Sequence, residues 1–418
     1  METKRAVIVG GGFAGVSAAL ALVKRHLPNV SIGLIADKPH LEYHSALYRL
    51  VTGSSPLEVC IPLREIFSGK NVEIIADRVV TLNRAEKIVI GSSGAEYHYD
   101  YLILALGSET NYFGIPGLKE YSHGMKSITE AIRLKQHITE VLLTCKIDFA
   151  NKLEQICDAN FVVVGAGATG VEMAGQLIVY ARELARGYGI DPSLVSVELI
   201  EGASKILPAL PKKFTDRIEQ HLRGLGVNIF LNRTIEREEC EEVFLKDMKI
   251  KARTVIWTAG VKASSVYELW KLPIDKRGKV EVDGHLRLPT DPHVFVGGDG
   301  AATKYSGWAQ TAMYDGEYIA AVITSDIKGV EIPVYAPEPP VNAIPAGPEW
   351  AGVLINFLGG NVRIYGRLGW WLRRLADLRS FLEILPPTKA LKAFRNGSSI
   401  CGSCSICSVE TPHQHEKK

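Results

Sequence analysis

The chain of 418 residues contains no run of 18 or more apolar residues, so no helix is expected to span a bilayer. Charge of either sign is nearly absent in excess. Lys and Arg total 48 against 46 Asp and Glu, a formal net of +2, which excludes an obvious nucleic-acid binder. No Ser-His-Asp or Cys-His cluster stands out, so the chemistry is not expected to rest on a protein nucleophile. The seven cysteines stand at 60, 145, 157, 240, 401, 404 and 407. Their number is odd and the first four show no disulfide-framework spacing, which favours a reducing compartment. A close redox-active pair near the first glycine turn is also missing, since Cys60 stands alone there. No signal-peptide pattern is visible, because the chain enters a strand-like run, Ala6-Val7-Ile8-Val9, almost at once.

What the chain does have is 46% apolar residues and 39 glycines, which fits an α/β protein of two or three domains with many tight turns. The segment KRAVIVGGGFAGVSAALAL runs from an apolar strand through Gly10-x-Gly12-x-x-Gly15 into a small-residue helix. A second apolar run, Val30 to Ile35, leads to Asp37 and Lys38. Gly10 permits the tight strand-to-helix turn, Gly12 lets the backbone approach a pyrophosphate, and Gly15 lets the helix pack on the strand. The phosphates then sit on the exposed amides and positive end of the helix, with Asp37 on the adenosine ribose. The pattern recurs 155 residues later in NFVVVGAGATGVEMAGQL, with Gly165, Gly167 and Gly170 as the turn. The next strand, Ser196 to Ile200, ends at Glu201; an insert, ARELARGYGIDPSL, lengthens the interval. One such turn is a weak signal; two, each with strand before, helix after and a terminal acid, are hard to obtain by accident.

A third segment, HVFVGGDGAA, places Gly297-Gly298-Asp299-Gly300 after an apolar strand and resembles the second FAD signature of two-dinucleotide flavoproteins. In that signature the Asp holds the ribityl chain. DYLILALGSETN supplies the strand-then-[AT]-x-G element, Ala105-Leu106-Gly107, that returns the chain to the flavin domain. The expectation is therefore an α/β fold of two Rossmann-like domains. An FAD-binding domain (1–113 and 283–330) holds an inserted NAD(H)-binding domain (114–282). A C-terminal strap and amphipathic helical region (331–396) and a Cys-rich tail (397–418) follow.

Four further stretches, LGSETNYFGIPGLKEYS, GATGVEMAGQL with IDPSLVSVELIEGASKILPALP, VIWTAGVKAS and WAQTAMYDGEYIA, resemble the type II NADH dehydrogenases, the single-subunit NADH:quinone oxidoreductases. The resemblance covers residues 5–330 closely and 331–396 loosely. It implies FAD reduced by NADH and reoxidised by a quinone. It also implies that Glu172 lies near the nicotinamide and flavin rings, and that Ala309 and Gln310 lie beside the flavin and face the quinone. Gly260, in the VIWTAGVKAS stretch, joins the NADH set. Tyr314 stands where the family usually has a second Gln, which puts the quinone type and its contact in doubt. A sulfide:quinone oxidoreductase, a soluble NADH oxidase and a non-catalytic redox-sensing flavoprotein share the fold and stay open as alternatives.

Hydride transfer from nicotinamide to flavin needs ring stacking and little acid–base help, so positioning and electrostatics are what the protein must supply. A carboxylate at Glu201 favours free ribose hydroxyls and repels a 2′-phosphate, which predicts NADH over NADPH, with Lys205 close enough to soften the preference.

After the Pro-rich strap, RLGWWLRRLADLRSFLEIL puts Leu368, Trp371, Leu372, Leu375, Leu378, Leu382 and Leu385 on one helical stripe, with Arg373, Arg374 and Asp377 off it. Residues 363–395 carry eight Lys/Arg and two Asp/Glu, a local net of +6. By periodicity such a helix covers the protein's own core or a homodimer partner. With the resemblance, it suits an anionic membrane surface, placing a peripheral protein on the cytoplasmic face of the cell membrane. The tail carries Cys401, Cys404 and Cys407 at C-x2-C-x2-C, with His413 and His415 beyond. A flexible tail with reactive thiols is the expectation; a metal site is the weaker one, because the fourth Cys of an iron–sulfur run is missing.

Overall fold

A computed structural model describes residues 3–56, 59–150, 159–357 and 360–396. Along the chain, the elements that position the site are β1 (Lys4–Val9), α1 (Phe13–Lys24), β2 (Val30–Ala36), α2 (Leu47–Val51), β3 (Glu73–Ala76), β4 (Tyr101–Leu104) and α3 (Ile128–Ala150). Next come β5 (Asn160–Val164), α4 (Ala168–Tyr188), β6 (Ser196–Ile200), α5 (Lys212–Leu225), β7 (Val227–Phe230), β8 (Thr254–Trp257), β9 (Asp291–Val296) and α6 (Ala309–Lys328). The C-terminal part adds β10 (Asn342–Pro345), β11 (Ala351–Phe357), β12 (Gly360–Ile364), α7 (Arg367–Ile384) and α8 (Pro387–Asn396).

Two parallel sheets carry the two glycine turns. In the first, β1 lies between β2 and β4, with β3 beyond β2 and β9 beyond β4, all parallel, and Arg287–Leu288 adds an antiparallel edge beside β9. In the second, the order is β7-β6-β5-β8, parallel throughout. Strands flanked on both faces read as continuous apolar runs, and β1, β4, β5 and β8 are buried over most of their length. Both turns therefore leave the middle of a sheet, where strand order reverses and ligands bind in α/β proteins. The segment Ser108–Thr110 pairs antiparallel with Val261–Ala263 and ties one sheet's exit to the other's.

α1 is buried from Phe13 to Leu22 because its small residues let α6 lie against it. A Cβ on Gly316 would come within 2.2 Å of the Ala14 carbonyl oxygen. α4 is amphipathic and stops at Gly189, whose positive φ of 76° closes the helix. The third unit is an antiparallel sheet, β10-β11-β12, covered by α7.

One expectation changes here. Cys60 and Cys145 are buried and disulfide-bonded, which removes the reducing-compartment argument that rested on unpaired thiols. Irregular spacing carries no sign of such pairing. Cys240 is an exposed free thiol. Cys157 and the tail with Cys401, Cys404, Cys407, His413 and His415 lie outside the described residues.

The strap, expected from its prolines to be an extended surface chain, has no regular secondary structure over residues 330–341 and is mostly exposed, and hydrogen bonds tie it to α6. The Tyr318 hydroxyl donates to the Pro333 carbonyl at 2.7 Å, the Val341 amide donates to Gln310 Oε1 at 3.1 Å, and Tyr335 bonds the buried Asp315.

Candidate functional site

The two glycine turns divide their labour identically. Gly10 and Gly165 have φ of 118° and 95°, which a side chain would strain. A Cβ on Gly10 would meet the Ala105 carbonyl oxygen at 2.1 Å, and one on Gly165 the Ala259 Cα at 2.5 Å. At Gly15 and Gly170 it would meet the carbonyl oxygens of Gly10 and Gly165, at 2.0 and 1.8 Å. Only the middle glycines, Gly12 and Gly167, would meet nothing within 4 Å. Packing thus explains the outer glycines, while the middle ones border open space. Gly12 and Gly167 also begin α1 and α4 with no side-chain cap and no acid in the first turn. Each helix presents amide donors and its positive end to that space, which fits a dinucleotide pyrophosphate at both turns.

On the first sheet, Asp37 is exposed just beyond β2, and Lys38 donates to the buried Glu42 at 2.7 Å. Glu42 also accepts the Ile128 amide at the start of α3, at 3.0 Å. Burial would raise the Glu42 carboxyl, but hydrogen bonds from His44 and Lys38 outweigh it and hold the group at about 2. Ala105 touches Gly10, and Gly107 follows β4 with a positive φ. The Gly298 turn closes against α1: a Cβ there would stand 3.2 Å from that of Ala14. The sequence segments around Gly12, Ala105 and Gly298 therefore converge.

Asp299 accepts from Ser108 Oγ at 2.5 Å and faces Lys126 Nζ at 3.4 Å. Burial opposes its ionisation, yet Lys126 and Ser108 hold it below the usual carboxylate range. Asp315 on α6, fully buried, accepts the Gly298 amide at 2.8 Å and so fixes this turn. Burial pushes Asp315 up to about 6. Ala309 and Gln310 open α6, and Gln310 is exposed, its carbonyl oxygen engaged by the strap.

On the second sheet, Glu201 ends β6 and accepts the amides of Ala166 at 2.7 Å and Ala203 at 2.8 Å. Lys205 is turned away, onto the Leu210 carbonyl. Gly260 has its space filled by the Phe113 ring, 2.5 Å from where a Cβ would stand, so in this geometry it serves close packing.

Glu172 is the fifth residue of α4, just past its first turn, near Tyr48 and Arg49 of α2. Burial pushes it up to about 8, while Arg373 and Arg49 pull it down. Sequence reasoning passed over Glu42, Ser108, Lys126, Asp315, Arg49, Arg373 and Asp377. For Asp315 a signal existed, since it sits inside the WAQTAMYDGEYIA stretch.

Residues 4–316 match the family described as pyridine nucleotide-disulphide oxidoreductase. The type II NADH:quinone oxidoreductase of Mycobacterium tuberculosis is 33% identical over 342 residues, covering 78% of this chain and 73% of that relative. That of Haemophilus influenzae is 30% identical over 328 residues, covering 72% and 74%. The chain belongs to the type II NADH:quinone oxidoreductases.

The fold agrees. NDH2 from Plasmodium falciparum, solved in complex with NADH, superposes with a TM-score of 0.83 at 17% identity, covering 94% of this chain and 97% of that one. The sulfide:quinone oxidoreductase from Aquifex aeolicus superposes with a TM-score of 0.73 at 19% identity, covering 96% and 98%. Fold alone therefore does not separate the two chemistries; sequence does. Within the type II family, the structure gives α7 an unexpected orientation. The polar positions Arg373 and Asp377 face inward and are buried, while Leu368, Trp371, Leu375 and Leu382 are 62, 55, 53 and 45% exposed. Of the expected stripe, Leu385 joins the core and Leu372 and Leu378 are half-buried, so the outward apolar face consists of Leu368, Trp371, Leu375 and Leu382. Among the described residues no helix is long and apolar enough to cross a membrane.

Proposed function

We propose that this protein is an FAD-dependent NADH:quinone oxidoreductase: NADH and a proton reduce a quinone to a quinol, releasing NAD⁺. The observation that carries the reading is the pair of uncapped glycine turns, each with open space at its middle glycine and packed protein at the outer two. FAD, when bound, supplies a hydride acceptor that can pass two electrons onward.

The chain's own residues do the rest. Gly10, Gly12 and Gly15 form the flavin pyrophosphate turn, with Asp37 and Lys38 at the adenosine end, and Ala105, Gly107, Gly298, Asp299 and Ala309 along the flavin side. Asp299, kept ionised by Lys126 and Ser108, offers an acceptor to the ribityl hydroxyls. Gly165, Gly167 and Gly170 form the nicotinamide turn, and Glu201 accepts from the ribose hydroxyls. Gly260 supports this side through the Phe113 contact. Glu172 holds a proton near neutral pH where nicotinamide and flavin meet, and Gln310 faces the quinone. On this reading the chain divides into 1–113 with 283–330, 114–282 and 331–396, a division that the two sheets and the C-terminal sheet support, while 397–418 lies outside the described residues.

The outward stripe of α7 and the basic surroundings support docking on an anionic membrane, with the cytoplasmic leaflet as the expected side. A homodimer that covers the same stripe is the competing arrangement. The deciding experiment is anaerobic: NADH should bleach the flavin quickly and added quinone should restore its colour. Bleaching by sulfide and not NADH would assign the sulfide chemistry. A long-lived reduced charge-transfer complex that ignores quinone would assign a sensor.

A further inference from the structure

The strap lies along one face of α6 and runs antiparallel to it. The Tyr318 hydroxyl donates to the Pro333 carbonyl at 2.7 Å, the Tyr335 hydroxyl to Asp315 Oδ1, the Tyr314 hydroxyl to the Ala336 carbonyl at 3.3 Å, and the Val341 amide to Gln310 Oε1 at 3.1 Å. Residue numbers fall along the helix as they rise along the strap, and positions 310, 314 and 318, spaced by four, share a helical face. The rings add to the clasp: the Tyr335 centroid is 5.5 Å from that of Tyr314 and 5.2 Å from that of Tyr318. The clasp ends at Gln310, in the first turn of α6.

That last bond decides which way the Gln310 amide points. The oxygen and nitrogen of a glutamine side chain have nearly the same shape, so a neighbour of fixed character has to set them apart. A backbone N–H can only donate, so the atom facing Val341 is the oxygen. Val341 is also the first residue after Pro339-Pro340 with an N–H to give, since proline has none. Gln310 is exposed, and among the described residues nothing accepts from its NH₂ group. The side chain thus turns its donors to the surface. A quinone carries carbonyl oxygens, which accept and do not donate. Tyr314, standing where the family usually has a second Gln, has its hydroxyl on the strap, so Gln310 is the one amide side chain among positions 310, 314 and 318.

We propose that Val341 is a positioning residue for quinone recognition: its amide holds the Gln310 oxygen, so that Gln310 meets a quinone carbonyl as a hydrogen-bond donor, while Tyr314 and Tyr335 keep the strap in place. This rests on the reading that Gln310 faces the quinone. One oriented amide then does what the family usually gives to two glutamines, and a single net hydrogen bond of this kind is worth roughly a tenfold change in affinity.

The test uses the flavin-loaded, full-length protein, bleached anaerobically with NADH and then mixed with a short-chain ubiquinone analogue. The rate of flavin reoxidation is taken relative to the rate of bleaching in the same variant. Val341→Pro removes the N–H and frees the Gln310 amide to turn over, and should slow reoxidation roughly three- to tenfold. Val341→Ala keeps the N–H and should restore the rate. Gln310→Glu still accepts from Val341 but offers the quinone an oxygen in place of the nitrogen, and should slow reoxidation by at least roughly tenfold. Reoxidation of Val341→Pro as fast as that of Val341→Ala, or of Gln310→Glu as fast as that of the unaltered protein, overturns the proposal. Val341→Pro is the variant at risk of disturbing the strap, so hydrogen–deuterium exchange gives a second readout. The Val341 amide should exchange roughly tenfold faster in Gln310→Met, which offers it no oxygen, than in Gln310→Glu or the unaltered protein. Equal exchange in all three overturns the proposal as well. Failure of the NADH:quinone reading is distinguishable: quinone would then leave the unaltered protein bleached, which removes the reading and the proposal together. An unaltered protein that quinone reoxidises, beside an indifferent Val341→Pro, removes the proposal alone.

Discussion

The Ala166 amide, inside the second glycine turn, donates to Glu201 Oε2 at 2.7 Å, so the acid at the end of β6 is built into the turn it serves. The Ala203 amide occupies the other oxygen at 2.8 Å. Two amides fix the carboxylate, and its remaining lone pairs are what a ribose diol can use. Glu201→Gln offers a single acceptor oxygen and turns an NH₂ group toward one of the two amides. The expected outcome is a KM for NADH raised roughly tenfold with kcat little changed, the pattern of lost uniform binding. Discrimination against NADPH should fall as well, because a charge that repels the 2′-phosphate is gone. Steady-state kinetics with both nucleotides measures this; unchanged selectivity would remove Glu201 from the ribose site.

Gly12 and Gly10 should fail differently when each is changed to Ala. At Gly12 the added methyl enters open space, so the apoprotein should fold with unaltered circular dichroism while flavin affinity drops by roughly ten- to a hundredfold. At Gly10 the methyl would meet the Ala105 carbonyl oxygen at 2.1 Å with φ at 118°, and the loss should appear as lower melting temperature with or without flavin. Flavin retention after gel filtration and thermal melts separate the two. Equal flavin retention by Gly12→Ala and the unaltered protein would mean that the space is not the pyrophosphate site.

The turns were legible because everything that defines them is local: three glycines, a strand before and a helix after. What surrounds them was not, because each partner lies far along the chain. Ser108 and Asp299 are 191 residues apart, Glu42 and Ile128 are 86 apart, and Arg49 and Asp377 are 328 apart. The helix α7 shows a different failure. Its leucine spacing correctly gives one apolar face, but periodicity cannot tell which face meets the protein. Here two charged residues turned inward because Arg49, Tyr43 and Ser45 were waiting to satisfy them. Gly260 was legible as special, but nothing in VIWTAGVKAS announces the ring of Phe113 that packs against it.

Glu42 gives the fold a pH dependence that can be checked. Its carboxyl is held at about 2 against an ordinary 4.5, so the native state favours the ionised form. The contribution is fully present above the unfolded value, and it is lost as pH falls from about 4.5 through about 2. Its partners Lys38 and His44 are partly exposed, which trims the effect to about 2 kcal/mol. Glu42→Gln should therefore destabilise the protein by that amount at neutral pH, and the gap to the unaltered protein should close as pH drops below 4.5. Urea melts across that range report it. A gap that stays constant with pH would mean that the charge of Glu42 contributes nothing.

Membrane docking through α7 needs a test that spares the cluster on its other face. Deleting residues 363–396 would remove Arg373 and Asp377 together with the buried Phe381 and Ile384, and loss of binding could then follow from misfolding. Replacing Leu368, Trp371 and Leu375 by Ser alters only side chains that are more than half exposed. The fold should keep its melting temperature within the small range typical of surface changes. Removal of three large apolar groups from a bilayer contact should weaken partition onto vesicles rich in anionic lipid by at least roughly tenfold. Flotation of the triple variant beside the unaltered protein measures it, with analytical ultracentrifugation run on both. Unchanged flotation would exclude this stripe as the membrane contact, and a dimer that dissociates in the variant would assign the stripe to a second copy of the chain.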